Sequence, residues 1–203
     1  MLRLAVFVSG RGSNLRSIHR AIIERRLTAE IVCVISNLDD AAALAYASGE
    51  GIPTLSVQGC PAAELPRTML DFLSAHGTDF IALAGYMNLV PSEVVSAFQN
   101  SIVNIHPALL PSFGGKGMYG QHVHKAVLAS GDKVTGATVH LVDEVYDRGS
   151  IVMQRRVPVL DDDTVETLAS RVLEVEHDIY PEALQLFAEQ RVEIIDNKIF
   201  IRT

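Results

Sequence analysis

An amide and an imidazole two residues apart, Asn104 and His106, stand at the end of a short apolar run from Ser101 to Ile105. On an extended backbone, side chains two apart point to the same side, so both converge on one spot while Ile105 faces the core. An amide donates a hydrogen bond, and an imidazole donates a proton or, when neutral, accepts one. That combination suits a reaction that builds negative charge on a carbonyl oxygen. It equally suits a core histidine beside a turn asparagine. The next segment is stiffened by Pro107 and Pro111 and loosened by Gly114, Gly115 and Gly117. A strand running into such a loop holds the two side chains at its C-terminal end, where open α/β sheets bind ligands.

A second candidate lies at Ser9-Gly10-Arg11-Gly12-Ser13-Asn14, after the apolar run Leu2 to Val8 and before Leu15, Ile18, Ala21 and Ile22 at helical spacing. Strand, glycine-rich turn and helix together aim backbone N–H groups and a helix N-terminus at one point, which favours a phosphate. Leu15 stands where a dinucleotide fingerprint needs its third glycine, so one phosphate is expected rather than a dinucleotide. A tight turn without a ligand is the alternative. A third candidate, Gly85-Tyr86-Met87-Asn88-Leu89-Val90-Pro91, follows another apolar run. Its apolar side chains beside backbone amides suit a slot for a flat heterocycle, although composition alone favours ordinary core contacts.

These loops need a scaffold that brings strand ends together, and the rest of the chain supplies its pattern. Apolar runs at Leu2 to Val8, Ile31 to Ile35, Pro53 to Val57, Asp79 to Ala84 and Ser101 to Ile105 alternate with helical patterns. Those helices are expected near 40–48, 62–75 (starting late or near Pro66) and 92–98. Alternation at this spacing predicts βαβ units and a parallel sheet. Lys133 to Val142 and Ile151 to Val159 read as further strands, divided by the acidic loop Asp143 to Gly149. His122 and His124 read as surface or loop residues, since a spacing of two puts them on different faces of a helix. A long helix follows Asp163, which with Glu166 has capping-box spacing, and a bend is expected at Pro181. A hairpin around Asn197-Lys198 closes the chain. The expected fold is α/β and three-layered: a mostly parallel twisted sheet of about seven strands, helices on both faces, and a C-terminal helix and hairpin.

Composition narrows the partners. The 203 residues carry 17 basic and 24 acidic side chains, a net charge of -7, without a basic cluster larger than Arg25-Arg26 or Arg155-Arg156. Nucleic-acid and membrane binding are therefore not expected. No apolar run approaches the ~20 residues that span a bilayer. The first residues lack the pattern of a signal peptide, so a cytoplasmic location is expected. Cys33 and Cys60 have no companion spacing for a disulfide framework or a zinc site.

Along essentially its whole length the sequence resembles the phosphoribosylglycinamide formyltransferases, the folate-dependent glycinamide ribonucleotide transformylases. The matching segments are Ser9 to Leu15, Ala84 to Met87, Asn104 to Pro111, Gly136 to His140, Asp147-Arg148-Gly149, and Glu176-His177 before Ile179-Tyr180-Pro181. The resemblance implies a Rossmann-like formyltransferase domain over 1–203, with a phosphate-binding half (1–100) and a catalytic and folate-binding half (101–203). It implies the substrate phosphate on Gly12, Ser13 and Asn14, with Glu176 near the ribose or glycinamide end. The pterin of the co-substrate 10-formyltetrahydrofolate would lie between Met87, Asn88, Leu89 and Val90 and the loop from Asp143 to Asp147. Asn104, His106 and Asp147 would be catalytic, with Asp147 raising the His106 pKa so that a protonated imidazole and the amide stabilise a tetrahedral intermediate. No metal is implied, and the protein is expected as a monomer or homodimer.

Two positions depart from the family's pattern, both on the folate side. Asn88 stands where an arginine is usual, and a Ser-Arg-Glu-like element near Ala62 to Glu64 is missing. The glycine-rich segment 114–120 suggests a mobile flap. Related readings are a formyltetrahydrofolate hydrolase, expected to carry an N-terminal regulatory domain, and a methionyl-tRNA formyltransferase, expected to carry a C-terminal nucleic-acid-binding domain. On the transformylase reading neither addition is expected. A non-catalytic phosphosugar-binding module would keep the Gly10 to Asn14 loop without needing His106 and Asp147.

Overall fold

The computed structural model describes residues 1–196 and 198–202. Seven strands form one sheet in the order β3-β2-β1-β4-β5-β6-β7. These are β1 (Leu2–Val8), β2 (Ala29–Ser36), β3 (Thr54–Ser56), β4 (Phe80–Leu83), β5 (Ile102–His106), β6 (Val134–Leu141) and β7 (Ile151–Pro158). The first five pair in parallel, whereas β6 runs antiparallel to both β5 and β7. The chain steps outward from β1 to β3 and then returns to place β4 on the other side of β1. Such a reversal opens a crevice beyond the carboxyl ends of the strands that flank it.

The period of two in the strands decides the layers. Leu4, Val6 and Val8 enter one core with Val34, Ala82, Val103 and Val139, while Ala5 and Phe7 enter the other with Cys33, Ile35, Ile81 and Leu83. On the first face lie α1 (Ser13–Ile23), α2 (Ala42–Gly49), α5 (Gln121–Ser130) and α6 (Val165–Ala188); on the second lie α3 (Leu65–Ala75) and α4 (Ser92–Ala97). Burying both faces explains why the strand sequences are nearly continuous in hydrophobicity. A two-stranded hairpin, β8 (Val192–Ile195) with β9 (Lys198–Ile201), follows α6. Asn197, in the turn expected there, lies outside the described residues. Among the described residues no helix is long and apolar enough to cross a membrane.

Local chemistry accounts for the helix boundaries. Pro66 sits in the first turn of α3, where its missing N–H breaks no helical hydrogen bond. The cap of α6 differs from the expected Asp163 and Glu166: Thr164 and Thr167 form the capping box. Asp163 is drawn away by Arg171, whose guanidinium reaches both carboxylate oxygens at 2.7 Å. Pro181 lies inside α6 and leaves the His177 carbonyl without its helical donor. The Ser17 hydroxyl on α1 donates to that carbonyl at 2.6 Å. This contact helps fix α6 against α1.

Candidate active site

The carboxyl ends of β1, β4 and β5 open into a cavity of about 660 Å³, also walled by α6 and the loops after β5 and β6. At one end β1 runs into Gly12, the N-cap of α1, which has φ +75° and no side-chain cap. A Cβ on Gly12 would stand 2.6 Å from Cβ of Ala43 on α2. Glycine is therefore required by the approach of α2 as well as by the left-handed backbone, a packing reason invisible in the sequence. Ser9, buried at the end of β1, accepts from the Met87 N–H at 2.8 Å and donates to Asn37 Oδ1 at 2.5 Å. One hydroxyl thus ties the loop after β4 to the glycine-rich turn.

Asn14 and Glu176 meet across α1 and α6, with Asn14 Nδ2 donating to Glu176 Oε2 at 2.7 Å. Burial drives the Glu176 pKa up to about 7, and the Asn14 hydrogen bond only partly opposes it. The unfolded chain releases this proton near 4.5, whereas the native state keeps it to about 7. Between those values the native state binds more protons, so this group's contribution to stability declines as pH rises through the window. Glu176→Gln is therefore expected to stabilise the ligand-free protein at ~pH 8 by on the order of 3 kcal/mol and to have little effect at ~pH 4. Urea unfolding at both pH values checks this. An equal change at both would mean that packing, rather than the proton, sets the difference.

Register brings the catalytic candidates together. In the β5–β6 pairing Asn104 faces His140 and His106 faces Thr138. Asn104 Nδ2 lies 3.1 Å from His140 Nε2, and His140 Nδ1 lies 2.8 Å from the Leu141 carbonyl. That carbonyl only accepts, so Nδ1 carries a proton and Nε2 faces the amide N–H. Thr138 donates to the Ala108 carbonyl and accepts from the Leu110 N–H, pinning the loop that follows His106. Asp147 reaches in from the loop after β6. Its Oδ1 is 3.6 Å from His106 Nδ1 and 3.5 Å from His140 Nε2, while Oδ2 accepts from the Gly115 N–H at 2.8 Å.

Burial raises the Asp147 pKa, but His140, His106 and the Gly115 N–H outweigh it and hold the group below the ordinary carboxylate value. For His106 the balance goes the other way. Burial is the largest influence and lowers its pKa; Asp147 and the Phe113 carbonyl oppose it without overcoming it, and His140 lowers it further. The influence expected of Asp147 has the anticipated direction, yet the net shift of His106 is downward. Nε2 donates to the Phe113 carbonyl at 2.8 Å.

The folate-side candidates line the same cavity: Met87, Asn88, Leu89, Val90, Asp143 and Asp147. Val90 is core, whereas Met87 and Leu89 are 50% and 49% exposed, more than ordinary core packing would leave open. Val145 and Tyr146, also partly exposed, face them from the loop after β6. Two residues of this wall were missed as site candidates. His140 was legible only as a strand position, because its approach to Asn104 depends on a register that no local pattern encodes. His124, expected at the surface, is 5% exposed on α5 and lines the cavity, with no partner for Nδ1 among the described residues. His122 alone fits the surface reading, since α5 turns its Val123, His124 and Val127 face inward.

Comparison with known proteins places this geometry. Residues 2–184 match the formyl transferase family. The chain is 47% identical over 193 residues to the chloroplastic phosphoribosylglycinamide formyltransferase of Vigna unguiculata, covering 94% of this chain and 62% of that protein. The chain thus spans less than two thirds of that relative's length. Against the phosphoribosylglycinamide formyltransferase of Haemophilus influenzae identity is 36%, covering 99% of this chain and 94% of that one. The crystal structure of glycinamide ribonucleotide transformylase 1 from Symbiobacterium toebii superposes with a TM-score of 0.93 at 40% identity, covering 100% of this chain and 95% of that one. The motifs at the cavity and the extent of these matches show that the chain belongs to the phosphoribosylglycinamide formyltransferases.

Proposed function

We propose that the chain transfers the formyl group of 10-formyltetrahydrofolate to the amine of 5′-phosphoribosylglycinamide, a step of purine biosynthesis, and that it acts as one formyltransferase domain over 1–203. The observation that carries this reading is a single cavity that joins a phosphate-type turn, the Asn104–His106–Asp147 group and a partly exposed apolar slot. The phosphate is held by the backbone of Gly12, Ser13 and Asn14, and Glu176 meets the ribose or glycinamide portion. The pterin enters the slot between Met87 to Val90 and the loop bearing Asp143. Asn88 leaves the tail of the folate without a cation at that position. Two free thiols, Cys33 and Cys60, suit a reducing cytoplasm. The monomeric or homodimeric state belongs to the same proposal.

The residues divide the work. The amine attacks the formyl carbon, a new C–N bond forms, and the carbonyl electrons move to oxygen. Asn104 has two amide hydrogens; one is held by His140, and the other meets the developing oxyanion. His106 supplies the proton transfer. When the Phe113 carbonyl withdraws, the ring carries its proton on Nδ1 toward Asp147 and presents the Nε2 lone pair to the attacking nitrogen. The imidazolium so formed is stabilised by the Asp147 carboxylate. It then gives the proton to the folate N10 as that C–N bond breaks.

The decisive experiment follows deformylation of 10-formyltetrahydrofolate with and without glycinamide ribonucleotide. Transfer is expected to exceed hydrolysis by orders of magnitude, because the held amine gains a proximity that water lacks. Equal rates with and without the nucleotide would replace this reading by a hydrolase.

A further inference from the structure

We propose that Lys116, on the glycine-rich flap, is the cation that recognises the acceptor's phosphate, an inference that rests on the acceptor assigned above. Lys116 lines the cavity together with the Gly10 to Asn14 turn, and among the described residues it makes no ion pair. The acids of the cavity have other partners. Asn14 holds Glu176, Asp147 accepts from the Gly115 N–H and lies beside two imidazoles, and Asp143 accepts from the Val145 N–H at 2.8 Å. No internal carboxylate therefore neutralises this ammonium.

The first turn of α1 offers N–H groups with no side-chain cap and no acid, and a dianion in that position is further stabilised by a full positive charge close by. The facing wall of α6 contributes Ala169 and Leu173, which have none to give, so the competing cation at this end of the cavity is the turn's own Arg11. Lys116 can supply that charge without dragging the fold. Gly115 and Gly117 on either side have φ of +100° and +89°, and a Cβ on either would meet nothing within 4 Å. Lys116 thus stands between two glycines in the left-handed region, in a turn closed by the Met118 N–H on the Gly115 carbonyl and tied to Asp147 through the Gly115 N–H.

The same backbone carries the Phe113 carbonyl, three residues upstream, that accepts from His106 Nε2.

The test compares wild type with Lys116→Gln, Lys116→Arg and Arg11→Gln, using glycinamide ribonucleotide and its dephosphorylated nucleoside as acceptors. Lys116→Gln is expected to raise the KM for the nucleotide roughly 10- to 100-fold, to flatten its dependence on salt, and to leave the KM for 10-formyltetrahydrofolate and kcat/KM for the nucleoside unchanged. Lys116→Arg restores most of the loss. Equal losses with both acceptors, or a phosphate preference that disappears in Arg11→Gln and persists in Lys116→Gln, would overturn the assignment. If wild type formylates neither acceptor, the reaction itself falls and this inference with it; formylation with a phosphate preference independent of Lys116 removes this inference alone.

Discussion

Asp147→Asn is expected to lower kcat by roughly 10²-fold or more while changing ligand affinities only modestly. The substitution is conservative where it needs to be. Asp147 occupies the left-handed region at φ +56°, which asparagine tolerates better than most residues, and an amide oxygen still accepts from the Gly115 N–H. What disappears is the negative charge beside His106. Burial already lowers the His106 pKa and Asp147 is the largest influence opposing it, so the imidazolium formed during proton transfer loses its main support. His106→Ala removes the same function from the other end. The double substitution is therefore expected to cost much less than the product of the two single losses, as for residues that act as one unit. Turnover of both singles and the double at saturating ligands is the measurement. Fully multiplicative losses would break the coupling, and near-wild-type turnover in Asp147→Asn would take this acid out of the mechanism.

Asn104→Ala is expected to reduce kcat by about 10²- to 10³-fold, the usual loss when one oxyanion donor is removed. The amide sits at the end of β5 with one hydrogen committed to His140 Nε2, so its orientation is set before substrate arrives. A donor already aimed gains nothing in the ground state and stabilises the oxygen as charge develops. Binding of a folate analogue measured by calorimetry should accordingly stay close to wild type. A large loss of that affinity with kcat preserved would show that Asn104 holds the ligand and does not serve the reaction.

The lowered pKa of His106 suits the role of base proposed for it. A buried imidazole with a lowered pKa is ready to accept a proton near pH 7, which a permanently charged ring is not. The protonated imidazole implied by the family resemblance relies on Asp147 raising the pKa. Only the structure shows that His106 is 3% exposed and that desolvation outweighs the carboxylate.

Much of this protein was legible in residue order because its information is local. The parallel strands read as continuous apolar runs since both faces of each are buried, and Leu4 and Ala5 divide between two cores by simple alternation. Gly12, Asn104 and His106 belong to segments whose types and spacing point to chemistry before any coordinates are known, whereas Asp147 enters only through the resemblance to the family. What the order of residues could not contain was the outcome of competition between distant groups. Asp163 serves Arg171 instead of capping α6 because a bidentate guanidinium is the stronger partner. His124 lies inside because α5 turns that face to the cavity, and His140 meets Asn104 because an antiparallel register sets them opposite each other. The direction of the His106 shift was decided in the same way. Local sequence determined which groups this protein has and which secondary structures carry them; packing determined how much water each keeps, and in a buried site the loss of water governs which of them holds a proton.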